Sequence, residues 1–348
     1  MIFSYDIDLE SKAVLKSASV ANRSLAELKG ISKTIPNEAI LLSTLPWREA
    51  KDSSEIESIV TTHDELFRGE LLFADISPAT KEVQNYVRAL LHGSALVRQN
   101  GLLTTNHILE IQEKLACSQG GLRKLPGTTL RNNLGEVIYT PPQSATEVAD
   151  LMGELEKFIN QPDLVDWDPL VKMAFVHHQF ESIHPFYDGN GRTGRILNIL
   201  YLQLQGLLDL PTLYLSSHII RNKTEYYRLL QHTRDTGDWE PWLLYMLQGV
   251  DVTARSTLRI VQGIATEMSE YKQRIRKELP KLYSQDLLNH LFRQPYTKIE
   301  FLERDLKVTR QTASKYLDQL AQTGLIAKKK HGRANYYINN RLVSLLVG

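Results

Sequence analysis

The sequence predicts a mainly helical protein with two small β elements, and three patterns carry that prediction. Apolar residues recur at helical spacing through Asp168–Glu181, and the same period returns over Ile196–Leu202. Short extended runs flanked by turn residues occur around 125–142 and again in the C-terminal tail. The helices therefore form the body of the fold, and strands are expected only as hairpins.

Composition fits a globular protein of two to three domains. The chain has 348 residues, of which 42% are hydrophobic and 23% charged. A chain of this length and composition can bury a substantial hydrophobic core. The single cysteine, Cys117, cannot form an internal disulfide, which suits a reducing cytoplasm. No leader-like segment and no apolar run of the ~18 residues that a membrane span needs is apparent, so we expect a cytoplasmic protein with no membrane partner.

One segment, His184–Arg195, combines a titratable imidazole, a carboxylate, a Gly-Asn-Gly turn and two guanidiniums. It links the two predicted helices, so it is a loop that leads into a helix N-terminus. Unpaired N–H groups and the positive end of the helix dipole favour an anion there, most naturally a phosphate. Gly189 and Gly191 can adopt positive φ and leave no β-carbon between the backbone and a ligand.

The charged residues of this loop suit phosphate chemistry. Arg192 and Arg195 are three apart, so both project from one face of the helix start toward the same anion. Asp188 is a hard oxygen ligand for Mg²⁺ shared with phosphate oxygens. His184 titrates near neutrality and can take a proton from an attacking hydroxyl. Together these residues predict a nucleotidyl or phosphoryl transfer site, the alternative being a structural turn with incidental charges.

The segment also resembles a known signature. His-Pro-Phe-x-Asp-Gly-Asn-Gly-Arg-x-x-Arg is typical of Fic-domain proteins, and every specified position is present. The resemblance implies transfer of AMP from ATP to a Tyr, Thr or Ser hydroxyl of a target protein or of the chain itself, with release of pyrophosphate. It implies His184 as the base and Asp188 as the Mg²⁺ ligand. The motif alone leaves phosphocholine transfer and kinase activity open.

The residues expected to contact ATP or its phosphates follow from the same resemblance and from the aromatic residues downstream. Aromatic side chains at such spacing are also common in cores, which is the alternative for the last two residues. The expected set is Tyr187, Gly189, Asn190, Gly191, Arg192, Thr193, Gly194, Arg195, Asn198, Tyr226 and Tyr227.

An upstream motif, Ser53-Ser54-Glu55-Ile56-Glu57-Ser58, resembles the inhibitory helix of the family, although Ser58 departs from the usual final Gly or Asn. The resemblance implies that Glu57 forms a bidentate pair with Arg195 and denies that guanidinium to the γ-phosphate. Ser53 as a helix N-cap, with the glutamates in the first turn, is the competing interpretation. In some relatives the same glutamate assists AMP removal, so a hydrolase that uses Glu57 is an alternative function.

Residues Leu125–Pro142 predict a β-hairpin around Asn132-Asn133-Leu134-Gly135. The resemblance implies a flap that lies over the active site and pairs with the backbone of the target. An ordinary surface hairpin is the alternative. The residues expected to dock the target are Thr129, Leu130, Arg131, Val137, Ile138 and Tyr139.

The C-terminal tail is basic. Residues 281–348 contain 12 Lys and Arg against 5 Asp and Glu, although the whole chain has a net charge of only +1. The order helix, short strand, helix, helix, hairpin resembles a winged helix-turn-helix domain, which could bind DNA or protein. The candidate DNA contacts are Arg310, Gln311, Thr312, Lys315, Lys329 and Arg333.

These resemblances imply an all-α fold: a Fic helical core with a small β-hairpin flap, followed by a winged helix-turn-helix. We divide the chain into an N-terminal helical region with the inhibitory helix (1–100), a Fic catalytic core (101–255), a connecting helix (256–280) and the winged-helix domain (281–348). A homodimer is expected from the same subclass. The second functional hypothesis is a DNA-binding regulator whose core senses nucleotide without turnover, but such a sensor has no use for a general base.

Overall fold

The computed structural model describes residues 7–72, 76–131, 134–331 and 334–347. The segment that precedes the hairpin is helical, as the sequence predicts. Its helices are α1 Lys12–Ser32, α2 Glu38–Leu42, α3 Leu45–Ile56, α4 His63–Leu72, α5 Pro78–Asn100 and α6 Thr105–Ala116. Side-chain caps fix several helix starts: Ser11, Asn37 and Ser77 each accept a hydrogen bond from a first-turn amide.

The predicted hairpin is present as two short antiparallel strands, and helices follow it. The elements are β1 Leu130–Arg131, β2 Val137–Tyr139, α7 Ala145–Asn160, α8 Pro169–Ile183, α9 Asn190–Leu204, α10 Ser216–Arg221, α11 Lys223–Thr236 and α12 Glu240–Glu278. Strand register pairs Leu130 with Tyr139 and Arg131 with Val137. The predicted turn residues Asn132 and Asn133 lie outside the described residues.

The two helices that flank the His184 loop are buried on nearly every side. All residues of α8 from Leu170 to Ile183 are buried, and in α9 so are those from Arg192 to Gln203. A helix that is enclosed all round belongs to the centre of a fold, so the loop between these two helices is held at both ends by packed structure. Helix α5 packs against α9, and the long helix α12 packs against α1 and α8.

The C-terminal tail has the predicted order of elements. They are α13 Gln285–Arg293, β3 Tyr296–Thr297, α14 Ile299–Leu306, α15 Arg310–Gln322, β4 Ala327–His331, β5 Ala334–Ile338 and α16 Asn340–Val347, hereafter the C-terminal module. Its sheet has the order β3-β5-β4 with antiparallel pairing. Of residues 256–280, predicted as a connecting helix, those up to Glu278 form the second half of α12, which continues unbroken from the preceding region.

The C-terminal module contacts the segment that carries the inhibitory motif. The Ser43 hydroxyl, between α2 and α3, donates a hydrogen bond to the Arg293 carbonyl. The Tyr296 hydroxyl lies 2.7 Å from Asp64 Oδ1 in α4, and Arg48 of α3 lies 3.4 Å from the Leu345 carbonyl. Among the described residues, every helix is too short or too polar to cross a lipid bilayer.

Candidate functional site

The backbone turns sharply at both ends of the His184 loop. His184 caps the C-terminus of α8 in the left-handed conformation, with a φ of 49°, and its amide donates to the Phe180 carbonyl. Gly189, with a φ of 80°, is the residue before α9. The loop is therefore a tight helix-loop-helix turn in which positive φ is required at two positions, one of them filled by the histidine.

The His184 imidazole is neutral at physiological pH. Burial lowers its pKa to about 4, and the charges of Arg234 and Arg123 lower it further, whereas contact with the Glu181 main chain raises it. Its Nδ1 is buried without a hydrogen-bond partner in the structure. A neutral imidazole can accept a proton, as the sequence-based role of His184 requires.

Arg123, which the sequence analysis did not identify, holds the loop from the side. Its side chain donates to the carbonyls of His184 (2.8 Å), Ile183 (3.2 Å) and Pro142, and its amide donates to the Pro185 carbonyl (2.8 Å). The side chain is almost fully buried, at 1% exposure. Because a planar guanidinium can satisfy several carbonyls at once, this residue fixes where the His184 backbone lies relative to the hairpin.

Two residues predicted as phosphate contacts, Asn190 and Tyr187, form hydrogen bonds within the protein. The Asn190 side chain forms two hydrogen bonds with Phe186, accepting from its amide at 2.9 Å and donating to its carbonyl at 2.8 Å. The Tyr187 hydroxyl accepts from the Lys124 and Leu125 amides, at 2.9 and 3.1 Å, just before the hairpin. Asn190 therefore shapes the loop, and Tyr187 joins the loop to the hairpin.

Three other residues expected at the nucleotide are buried in this structure. Thr193 and Asn198 lie on buried faces of α9, at 0% and 1% exposure, and their side-chain polar atoms have no hydrogen-bond partner in the structure. Tyr226 is 1% exposed, and its hydroxyl lies 2.8 Å from His177 Nε2. It belongs to the core, the alternative that aromatic spacing left open, whereas the neighbouring Tyr227 is exposed.

The inhibitory motif lies directly against the α9 arginines. Arg195 is 2% exposed; its Nε donates to Ser53 Oγ at 2.7 Å, and the same Nη atom donates to the Ser53 carbonyl at 2.9 Å and to Glu57 Oε1 at 2.8 Å. Burial alone would lower the pKa of Arg195, but the Glu57 carboxylate raises it. Burial likewise would raise the pKa of Glu57, whereas the charge and hydrogen bond of Arg195 bring it below its usual value.

This geometry confirms the contact between Glu57 and Arg195 and corrects two of its details. The pair has a single hydrogen bond rather than the predicted bidentate geometry, because Ser53 occupies the other edge of the guanidinium. The N-cap interpretation of Ser53 is wrong: α3 runs from Leu45 to Ile56, so Ser53 is in its last turn and Glu57 is its C-cap. Ser58 follows with a φ of 65°, the conformation for which Gly or Asn is favoured.

Glycine is required where the motif meets the loop. A β-carbon at Gly191 would collide with the Glu57 carboxylate and would lie 2.9 Å from Arg195 Nη1. At Gly194 it would lie 2.6 Å from Glu181 Oε1, a buried carboxyl whose pKa burial raises to about 7. The close approach of Glu57 to this turn is therefore possible only because position 191 has no side chain.

Further partners of the site lie far away in sequence. Arg192 pairs with Glu82 of α5 at 2.6 Å and with Asp188 at 3.3 Å. Lys223, at the start of α11, donates to the Ile56 carbonyl at 2.5 Å and so secures the end of the inhibitory helix. Asp188 itself has an exposed side chain, at 80%, and none of the described residues form a cluster of three or more metal-ligating side chains.

The hairpin lies beside the loop and exposes apolar residues. Val137 and Ile138 are 48% and 41% exposed, whereas the Tyr139 hydroxyl donates to the Ser182 carbonyl at 2.9 Å. Arg234 stacks on the Tyr139 ring at 4.1 Å and donates to Ser182 Oγ at 3.0 Å. Of the other expected docking residues, Thr129, which precedes β1, and Leu130 are half-buried, whereas Arg131 is exposed.

The candidate DNA-contact residues surround the exposed start of α15. Arg310, Gln311 and Lys315 are exposed, as is Lys329 in β4, and Thr312 is half-buried. Arg310 pairs with Glu300 at 3.0 Å, and Lys328 pairs with Asp318 at 2.7 Å, so carboxylates share this face with the basic residues. Arg333 lies outside the described residues.

Three family models match the chain: Fic/DOC family N-terminal over residues 15–95, Fic/DOC family over 102–202, and the C-terminal domain of SoFic-like protein adenylyltransferases over 268–342. Curated relatives include protein adenylyltransferase Fic of Aedes aegypti, 28% identical over 51% of this chain and 32% of its own length. Protein adenylyltransferase fic-1 of Caenorhabditis elegans is 26% identical over 45% of this chain and 29% of its own length. The chain thus spans about a third of the length of these relatives.

Solved structures share the fold. A Fic family protein from Desulfovibrio desulfuricans G20 superposes with a TM-score of 0.61 at 18% identity, over 97% of this chain and 98% of that one. Fic-1 (residues 134–508) from C. elegans gives a TM-score of 0.55 at 19% identity, over 72% of this chain and 74% of that one. The two Fic/DOC models together match more than half of the residues, including the His184 loop. This chain belongs to the Fic/DOC family.

Proposed function

We propose that the protein transfers AMP from ATP to a hydroxyl group of a target protein, or of itself, and that Glu57 restrains this reaction. The observation that carries the proposal is the neutral, half-buried imidazole of His184 at the head of a loop that presents Arg192 and Arg195 at a helix N-terminus. Relatives named protein adenylyltransferases support the same chemistry.

In the proposed reaction, the target hydroxyl oxygen attacks the α-phosphorus of ATP while His184 accepts the hydroxyl proton. The bond from the α-phosphorus to the bridging oxygen breaks, and pyrophosphate leaves with that oxygen. Arg192 and Arg195 neutralise the β- and γ-phosphate charge, and the loop amides near Gly189 bind phosphate oxygens. The lowered pKa of His184 keeps the imidazole in the neutral form, which is the form that can accept the hydroxyl proton.

Asp188 is the residue that fits Mg²⁺. It supplies one exposed hard oxygen donor at the loop, and Mg²⁺ in nucleotide sites is commonly held by one or two carboxylates together with phosphate oxygens and water. When bound, the ion would offset charge on the phosphates. The protein's own contribution is to hold the carboxylate near Arg192, at 3.3 Å, on the same side of the loop.

The restraint acts through Arg195. In the present arrangement its Nε and one of its two Nη atoms donate to Ser53 and Glu57, so a γ-phosphate would have to displace the Glu57 carboxylate to reach that Nη atom. Release of the C-terminal turn of α3 would free it. AMP removal assisted by Glu57 is the second candidate function, because the carboxylate already lies at Gly191 in the phosphate-binding turn.

We propose that the hairpin docks the target and that the C-terminal module, as a winged helix, recruits a partner. Exposed Val137 and Ile138 support backbone pairing with an extended target segment. The carboxylates Glu300 and Asp318 beside the basic residues of α15 favour a protein partner over DNA. A homodimer is part of this proposal, and the molar mass in solution tests it.

The test is AMP transfer from α-labelled ATP with Mg²⁺, read by intact-mass spectrometry on the protein and on a cell lysate. Wild type, Glu57→Gly, and Glu57→Gly combined with His184→Ala are compared. We expect label that rises with the first change and disappears with the second. If no variant is labelled although ATP still binds, the transferase proposal is wrong and nucleotide sensing without turnover is favoured.

A further inference from the structure

A second cleft, of about 530 Å³, lies outside the His184 loop. It is formed by α10, α11 and the first turns of α12, and its polar lining includes Ser217, His218, Arg221, Glu225, Tyr245 and Gln248. None of the residues 184–195 line it, so it is separate from the site described above.

Two buried polar groups in the wall of this cleft have no partner. His218 and Tyr245 are 8% and 7% exposed, and neither His218 Nε2 nor the Tyr245 hydroxyl has a hydrogen bond in the structure. The two rings lie against each other, 4.7 Å apart. A β-carbon at Gly249 would lie 2.8 Å from His218 Cδ2. The imidazole can therefore pack against α12 only because position 249 has no side chain. Unpaired buried polar groups are costly, and a ligand that pairs with them offsets that cost.

The charges at the cleft favour an anion. Arg221 is exposed at the end of α10 and brings a permanent positive charge to the wall. The carboxylate in the lining, Glu225, is neutralised by Arg228 through two hydrogen bonds of 2.7 Å each. A guanidinium, a phenol and an imidazole together form a donor set that suits the oxygens of a carboxylate or phosphate.

The walls of this cleft also hold the inhibitory helix in place. Beside Ser217, Ser216 donates its amide to Glu49 Oε2 at 3.0 Å and its hydroxyl to Glu49 Oε1. Seven residues later, at the start of α11, Lys223 donates a hydrogen bond to the Ile56 carbonyl. The charge of Arg221 also acts on Asp52 of α3, where it opposes the effect of burial on the pKa of that carboxyl.

We propose that this cleft binds a small oxyanion, the carboxylate or phosphate of a metabolite, and that its binding loosens α3 and relieves the restraint on Arg195. Any shift of α10 is transmitted to Glu49 and, through the turn into α11, to Lys223. The regulatory half of this inference rests on the proposed function, whereas the binding half does not.

Binding is tested by calorimetry with inorganic phosphate and with succinate, against sodium chloride at matched ionic strength. We expect the affinity to fall about tenfold or more in Arg221→Ala, the loss of one charge-assisted contact, and to fall in Tyr245→Phe, which keeps the ring. Arg259→Ala, which removes an exposed arginine of α12 outside the cleft, should leave it unchanged. Arg192→Ala removes a positive charge from the His184 loop and so reports any anion binding there. This variant should retain anion binding at the cleft.

Coupling is tested by hydrogen exchange of the amides of residues 45–58 in the full chain, with and without each anion. Faster exchange with anion in wild type, absent in Arg221→Ala, supports the proposal. Undetectable binding of both probes, or equal binding to Arg221→Ala, overturns the site; binding without a change in exchange overturns the coupling. AMP transfer by Glu57→Gly is measured in parallel, so failure of the transferase proposal is recognised separately.

Discussion

Replacement of Glu57 by Gln should raise the rate of AMP transfer about tenfold. The change keeps the length of the side chain and removes the charge that faces Arg195 across 2.8 Å. A hydrogen bond to a charged group contributes about 1.5–3 kcal/mol, and the lower value applies here because the Glu57 side chain is 34% exposed and partly screened. About 1.4 kcal/mol corresponds to a factor of ten in the population of the released state.

The same helix offers a matched control for that variant. Glu55 pairs with Lys51, also at 2.8 Å, and its side chain is 38% exposed, so Glu55→Gln removes an equivalent ion pair two residues away. Ser53→Ala removes one of the three hydrogen bonds to Arg195 and should activate by about threefold, since the contribution of the hydroxyl is less than that of a charge.

The assay is the initial rate of self-modification at saturating ATP, with ATP affinity measured separately for each variant. Equal activation by Glu55→Gln and Glu57→Gln would show that the contact between Glu57 and Arg195 is not the restraint. An unchanged rate in Glu57→Gln with intact ATP binding would show the same.

Three further predictions follow from the site. Ser58→Gly should raise the free energy of unfolding by about 1 kcal/mol because it relieves a φ of 65°, whereas Ser58→Ala should not; equal effects in chemical denaturation would contradict this. Arg123→Lys should lower kcat at least tenfold in the Glu57→Gly background with little change in KM for ATP, because an ammonium cannot hold the carbonyls around His184 together; a change confined to KM would contradict a positioning role. Glu49, whose pKa burial raises to about 7, binds its proton more tightly in the folded than in the unfolded chain, so its contribution to stability falls as pH rises through about 5 to 8. Wild type should therefore lose up to ~3 kcal/mol relative to Glu49→Gln over that window, and parallel stability curves would show that Glu49 does not titrate there.

The sequence predicts those parts of the site that are close together along the chain. The His184 loop works as a local unit: its glycines, arginines and helix start lie within one turn, so spacing alone indicates an anion site. The flap hairpin and the order of the C-terminal elements are equally local, because turn residues and alternating patterns specify them over a few positions.

The supporting partners could not be predicted, because packing rather than spacing brings them to the loop. Arg123, Lys223 and Glu82 each reach the loop or the inhibitory motif from another helix or connection, and nothing in their sequence neighbourhood marks them. Ser53 was open to two interpretations for a similar reason: a serine followed by acidic residues resembles a helix start, and only the packing of α3 shows that it is a helix end. Tyr226 is a further case, in which the fold buries an aromatic residue that could have faced the nucleotide.

The central claim is that His184 performs the chemistry once Arg195 is freed, and single-turnover AMP transfer tests it most directly. Glu57→Gly and Glu57→Gly combined with His184→Ala are compared at saturating ATP, with equal ATP affinity established first. We predict that loss of the imidazole slows transfer by 10²-fold or more, the usual contribution of a positioned general base. Equal single-turnover rates in the two variants would contradict the account.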